Sequence, residues 1–274
     1  MTRTRWREPR SMIPGYLRVD QRRSLGLSAT VWRIGMLIFV LVVVELYARF
    51  VLATPYELVP VTTMATRALE LMTDAAFLWD DLAWTALAVG VSFLGAAILG
   101  VFTAYLMHRF TWCDRALQPY VSVFYAVPTF AIYPLLVVVV GTGLAPIVLI
   151  STSFSTVVVI ARARDGFSSV AASTEKLSRS LRLTRSQHFR LVLMPSALPD
   201  IISGLKLALS YAVISVLATE FILSTRGVGH FISRAYTGFN STDMYGGIFL
   251  VSLLALALVL VVHRLGSAID WRQR

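Results

Sequence analysis

Apolar and polar positions alternate along this chain in long blocks. Apolar runs cover Ile34 to Ala53, Ala83 to Met107, Tyr120 to Val140, Ala145 to Ile160, Asp200 to Leu223 and Tyr245 to Val262. About 20 apolar residues rising ~1.5 Å each cross a hydrocarbon core of ~30 Å, so each run reads as a membrane-spanning helix. The pattern predicts an all-α integral membrane protein with about six transmembrane helices. Between the fourth and fifth runs, Arg162 to Pro199 stays polar and basic and belongs in water. Leu177 with Leu181, and Phe189 with Leu193, stand four apart, which places each pair on one helical face. Thr184 and Gln187 have capping-box spacing, so the segment reads as helix, turn, helix. Pro195 and Pro199 are expected to keep the second helix from running on.

Composition agrees with this pattern. The 274 residues are 57% hydrophobic with a mean hydropathy of +0.71, far above a soluble domain. A net charge of +10 could suggest nucleic acid, but basic residues beside apolar spans are what the positive-inside rule predicts. The lone cysteine, Cys113, excludes an internal disulfide framework and a multi-cysteine metal site within the chain. No metal site or catalytic motif is expected.

Charge then orients the spans. Residues 1–33 carry Arg3, Arg5, Arg7, Arg10, Arg18, Arg22, Arg23 and Arg33, and read as a basic cytoplasmic arm. No small-residue cleavage site follows the first apolar run, so the arm is expected to be retained. Residues 54–82 are acidic, with Glu57, Glu70, Asp74, Asp80 and Asp81 against Arg67 alone, and suit the outside. The return loop His108 to Pro119 and the tail 267–274 are basic, which puts both termini in the cytoplasm. The spans themselves form a domain over residues 34–266.

Polar groups inside the spans are the candidate chemistry. Glu45 has Arg49 at helical spacing, and structural pairing is the favoured reading. Gly90, Gly95, Ala96, Ala97 and Gly100 suit close helix packing in lipid. Pro128 and Pro134 are expected to kink or unwind the third span, before a tight turn at Gly141 to Gly143. Ser151, Thr152 and Ser155 sit in the fourth span, where hydroxyls can bond to the preceding turn or line a cavity. In the fifth span Tyr211, Ser215 and Thr219 form one stripe, with Glu220 at its outer end. These seven residues are the candidate pathway lining.

With the spans and the central segment placed, the chain resembles a membrane subunit of a bacterial binding-protein-dependent ABC importer, in the branch handling nitrate, taurine and alkanesulfonates. Such permeases share a cytoplasmic loop of pattern Glu-Ala-Ala, three residues, Gly, nine residues, Ile-x-Leu-Pro. Its final proline aligns with Pro195, and Val192 and Met194 then fall on the apolar positions. Gly141 to Gly143, Gly204-Leu205-Lys206, and Glu220 with Gly227-Val228-Gly229 also resemble the family pattern. The same alignment departs at the loop's start: Lys176, Leu177 and Ser178 stand where the family has Glu-Ala-Ala, Arg182 stands for Gly, and Glu175 lies one residue early.

The resemblance implies a type I ABC importer permease fold in the bacterial plasma membrane. It implies that Glu175, Lys176, Leu177, Ser178, Leu181, Arg182, Pro195 and Pro199 belong to the segment that docks on the ATPase. It further implies an ATP-binding cassette dimer, a second permease chain, different or identical, an extracytoplasmic solute-binding protein, and a small organic or inorganic anion as solute. No P-loop sequence occurs in the chain, so ATP and Mg2+ are expected in the partner ATPase. An ion-coupled carrier using Glu45 and Glu220 and an intramembrane enzyme are the alternatives. Against the enzyme, no His-Glu-x-x-His or Gly-x-Ser-x-Gly sequence is present.

Overall fold

The computed structural model describes residues 21–50, 58–124 and 132–269. Pro128, Glu57, the first part of the arm and the last residues of the tail lie outside them. By internal contacts the chain divides into Met1–Ala53 and Thr54–Arg274. Within the first unit the described residues form one helix, α1 (Gln21–Phe50). The expected arm-to-span boundary at residue 33 therefore falls inside a helix. Arg22, Arg23 and Arg33 are good helix formers, no proline falls within Gln21–Phe50, and Gly26 and Gly35 do not interrupt the helix. Glu45 accepts from the Arg49 guanidinium at 2.6 Å, which bears out the expected pairing.

Within the second unit the described residues are helical and contain no strand. In order they are α2 (Val61–Leu71), a π-helical turn (Phe77–Leu82) running into α3 (Ala83–Arg109), α4 (Thr111–Phe124), α5 (Tyr133–Val140) and α6 (Leu144–Ser168). Then come α7 (Ala172–Ser180), α8 (Arg185–His188), a second π-helical turn (Phe189–Leu193), α9 (Met194–Leu223), α10 (Val228–Thr237) and α11 (Ser241–Ile269). Among the described residues five helical stretches are long and apolar enough to span: Val31–Phe50, Phe77–Arg109, Leu144–Ser168, Arg185–Ile222 and Ser241–Val262. The expected third span falls on α4 and α5, with residues 125–131 between them outside the description.

The core is the packing of α3, α6 and α9. Small side chains recur every fourth residue on α3, at Ser92, Ala96, Gly100 and Ala104, all buried. Helices approach closely where no side chain intervenes, which in lipid substitutes for a hydrophobic drive. A Cβ on Gly100 would fall 2.5 Å from Cβ of Val159 on α6, and one on Gly204 of α9 would lie 2.8 Å from Cβ of Arg162. At one end of the bundle, Phe167 is buried with Tyr105 and His108 across it, and Arg164 pairs with Asp114 of α4 at 2.8 Å. These contacts explain why α6 runs eight residues past the expected end of its span at Ile160.

Several other expectations change. The return loop at His108 to Pro119 is mostly helix, with α4 beginning one residue after Phe110. Pro195 and Pro199 do not stop the second helix: Pro195 sits in the first turn of α9 and Pro199 lies inside it. The preceding π-helical turn bonds the Met194 N–H to the Phe189 carbonyl, and its wider winding eases the crowding a proline ring brings. The segments between the apolar runs at 54–82 and 224–245 contain α2 and α10. The glycine turn is as expected, with Gly141 at φ 88° ending α5 and Gly143 at φ 116° opening α6.

Candidate functional site

Two arrangements stand out, one at each end of the bundle. The first is the helix–turn–helix between α6 and α9. The capping box is present as expected: the Gln187 N–H donates to the Thr184 hydroxyl and the Gln187 side chain accepts from the Thr184 N–H at 2.9 Å. The expected apolar pairing splits. Leu193 is buried beneath Phe189 and Tyr105, whose rings meet edge-on at 4.8 Å, whereas Leu177 and Leu181 are 59% and 63% exposed. Ser178 is the buried residue of α7, and its hydroxyl donates to the Glu175 carbonyl at 2.8 Å. Glu175, Lys176 and Arg182 are exposed; Pro195 and Pro199 lie in the first turns of α9.

Arg182 occupies the left-handed region at φ 48°. Its N–H donates to the Arg179 carbonyl at 3.0 Å and the Leu183 N–H donates to the Ser178 carbonyl at 3.2 Å. That pair of bonds is the Schellman closure of a helix, normally built on glycine. A left-handed turn is thus made by Arg182, where the family pattern has glycine.

The second arrangement was only partly foreseen. Glu220, at the far end of α9, is fully buried. Its carboxyl group accepts from the Thr85 hydroxyl at 2.8 and 3.0 Å and from the Gly229 N–H at 3.0 Å. Thr85 in turn accepts from the Val228 N–H at 2.9 Å, and Asp81 accepts from the Gly227 N–H at 3.1 Å. The amides at a helix start lack partners within the helix, and here Glu220, Thr85 and Asp81 supply them. Carboxyl groups also complement the positive end of the α10 dipole. Gly227, at φ 101°, is obligatory, because a Cβ there would run into the Glu220 carboxyl; a Cβ on Gly229 would fall 2.5 Å from the Leu217 carbonyl oxygen. The spacing of Glu220 and Gly227-Val228-Gly229 marked this site, but Thr85 and Asp81 lie some 140 residues away in sequence and nothing local pointed to them.

Beside this latch, α2 is tied to α11 by Arg67, which donates to Asp243 at 2.5 Å and to Glu70 at 2.8 Å. The Glu70 hydrogen bond, with Asp243 behind it, raises the Arg67 guanidinium above its ordinary value despite partial desolvation.

The remaining candidates are spread along the core. Ser151, Ser155, Ser215 and Thr219 are fully buried; Thr152 and Tyr211 are half-buried. Thr219 donates to the Ser215 carbonyl at 2.5 Å, the backbonding expected of a mid-helix hydroxyl. Among the described residues the hydroxyls of Ser151, Ser155 and Ser215, with that of Ser92 on α3, have no hydrogen-bond partner. Tyr211 stacks edge-on against Phe154 at 5.1 Å, and Thr152 covers Gly95. Cys113 is buried and unpaired. Among the described residues no cluster of histidine, cysteine and carboxylate side chains could hold a metal ion.

Long apolar helices packed through small residues, with an exposed basic helix–turn–helix between two of them, define a multi-pass membrane protein. The chain belongs to the family of binding-protein-dependent transport system inner membrane components, whose pattern matches residues 96–274. It is 24% identical over 238 residues to the formylaminopyrimidine transport permease protein ThiX of Halalkalibacterium halodurans, covering 86% of this chain and 94% of that one. It is 26% identical over 236 residues to the taurine transport system permease protein TauC of Escherichia coli, covering 85% and 86%. Its fold resembles a chain of the MetNI methionine ABC transporter in an inward-facing conformation, with a TM-score of 0.62 and 20% identity, over 69% of this chain and 94% of that one. The chain is thus a permease component of an ABC importer. The family does not favour the ion-coupled carrier or the intramembrane enzyme.

Proposed function

We propose that this permease forms, with a second permease chain, the pathway for a small solute that a solute-binding protein delivers, and that separate ATPase subunits drive it through the α7–α8 segment. An organic or inorganic anion is the solute class this reading favours, in keeping with the taurine transporter among the relatives. In this reading the α7–α8 end faces the cytoplasm and the α10 end faces outward. ATP and Mg2+ act in the partner.

The observation that carries the reading is mechanical. From α8 through the second π-helical turn to the end of α9 the backbone is one helical run. From Phe189 to Glu220 that run covers about 45 Å at ~1.5 Å per residue. One end holds the exposed turn and the other holds the latch on α10. A displacement imposed on α7 and α8 is therefore delivered as a rigid-body motion to Glu220, and switching between two packed arrangements is how such bundles change state.

The test is Leu181→Asp in the assembled transporter. Substrate-stimulated ATP hydrolysis is expected to fall at least tenfold while the chain still inserts and elutes as a complex. Unchanged stimulated hydrolysis would remove α7 from the coupling path.

A further inference from the structure

The face that α7 and α8 present to water has an unusual charge. Between Glu175 and Arg190 there are five cations, Lys176, Arg179, Arg182, Arg185 and Arg190, against the single carboxylate of Glu175, and all six are exposed. Arg179 approaches Glu175 at 3.7 Å, one turn away, so the one acidic group is already engaged. With Ser178 turned inward, Leu177 and Leu181 project outward beside Lys176 and Arg182. Behind α7 a cleft of about 670 Å³ opens toward the end of α3. Arg109, Arg179 and Arg185 line it with His108 and His188, and Glu175 is the only carboxylate among its lining residues.

An exposed apolar pair rimmed by charge is the form of a protein-docking surface. Charges at such a surface set which partner is accepted, and like charges brought together there are penalised. We infer that the ATPase surface receiving this segment is acidic: an apolar floor for Leu177 and Leu181, ringed by aspartate and glutamate facing Lys176, Arg182 and the arginines of α8 and its π-helical turn. The inference rests on the reading of α7–α8 as the ATPase-coupling segment. It adds that this permease selects its own ATPase by charge, and that an ATPase whose groove is basic is rejected.

The experiment uses the transporter assembled with its native ATPase and measures ATPase retention on the immobilised permease. Retention is compared at about 0.1 M and 1 M salt, between which the screening length falls from about 10 Å to about 3 Å. Lys176→Glu with Arg182→Glu is expected to weaken retention at least tenfold at low salt, with much less difference from the unaltered chain at high salt. Leu177→Asp is expected to weaken it at both. Retention unaffected by the charge reversal but lost in Leu177→Asp would overturn the acidic groove and leave the coupling segment standing. Retention unaffected by either would overturn both. A basic face serves anionic lipid equally well. Charge reversal that abolishes binding to vesicles rich in anionic lipid while ATPase retention is unchanged would assign the charges to the membrane and overturn the inference.

Discussion

Arg182→Gly tests whether the α7 turn is strained. Arg182 holds φ 48° with both Schellman hydrogen bonds made, and among the described residues its side chain forms no hydrogen bond or ion pair. A non-glycine residue in the left-handed region costs ~1–2 kcal/mol. Glycine removes that cost but gives back ~0.5–1 kcal/mol through the freedom it gains in the unfolded chain. The net stabilisation lies in the range ~0–1.5 kcal/mol, centred on roughly 0.5–1 kcal/mol, and it acts locally. Native-state hydrogen exchange of the Leu181, Arg182 and Leu183 amides is the appropriate readout, since local opening follows local stability. At RT of about 0.59 kcal/mol, those amides should exchange roughly two- to fivefold more slowly in the glycine variant. Arg182→Ala is the control: it deletes the guanidinium yet keeps the Cβ, so exchange should match the unaltered chain. Equal protection in the alanine and glycine variants would show that the charge, not the backbone, had governed the turn, and the strain argument would fail.

Other consequences can be measured directly. Glu220→Ala leaves the Thr85 hydroxyl and the Gly229 amide without their buried acceptor, at ~1–3 kcal/mol each, so α10 amides should lose protection well before those of α6; uniform loss across the bundle would argue against a latch. Gly227→Ala should destabilise the same corner by at least ~1–2 kcal/mol from the positive φ alone, and a variant with unaltered melting would contradict the geometry. Ser155→Ala removes a buried hydroxyl that has no hydrogen-bond partner among the described residues, so melting should stay within ~1 kcal/mol of the unaltered protein or rise; reduced transport with unchanged melting would mark Ser155 as a pathway residue. Arg67→Ala should loosen α2 from α11 by ~1 kcal/mol, read as faster exchange in α2, and exchange unchanged there would assign the tie to packing alone.

Local rules carried some of this structure and stopped where partners are distant. The capping box at Thr184 and Gln187, the Glu45–Arg49 pair and the glycine turn at Gly141 to Gly143 depend on neighbours within a few residues, and each is found as expected. Hydropathy placed the cores of α3, α6, α9 and α11 for the same reason. It missed α2 and α10 because both are short and amphipathic, and their buried faces are completed by α9 and α11. Pro195 misled because a proline's cost depends on the winding before it, and the π-helical turn that eases it is not visible in the sequence; Pro199 falls one turn further on, inside α9, and the helix continues through it. Glu220 was recognisable as a marked residue, yet its role depends on Thr85 and Asp81, which only the tertiary fold brings to it. The exposure of Leu177 and Leu181 likewise follows from which face of α7 turns toward α3.

The latch has an electrostatic corollary. A helix start with unsatisfied amides is a ready seat for an anion. In α10 that seat is filled from within, by Glu220 and Asp81 and the hydroxyl between them. The amides at the start of α10 are thus committed to the protein's own carboxyl groups and hydroxyl, and an anion from solution would have to displace a buried side chain to bind there.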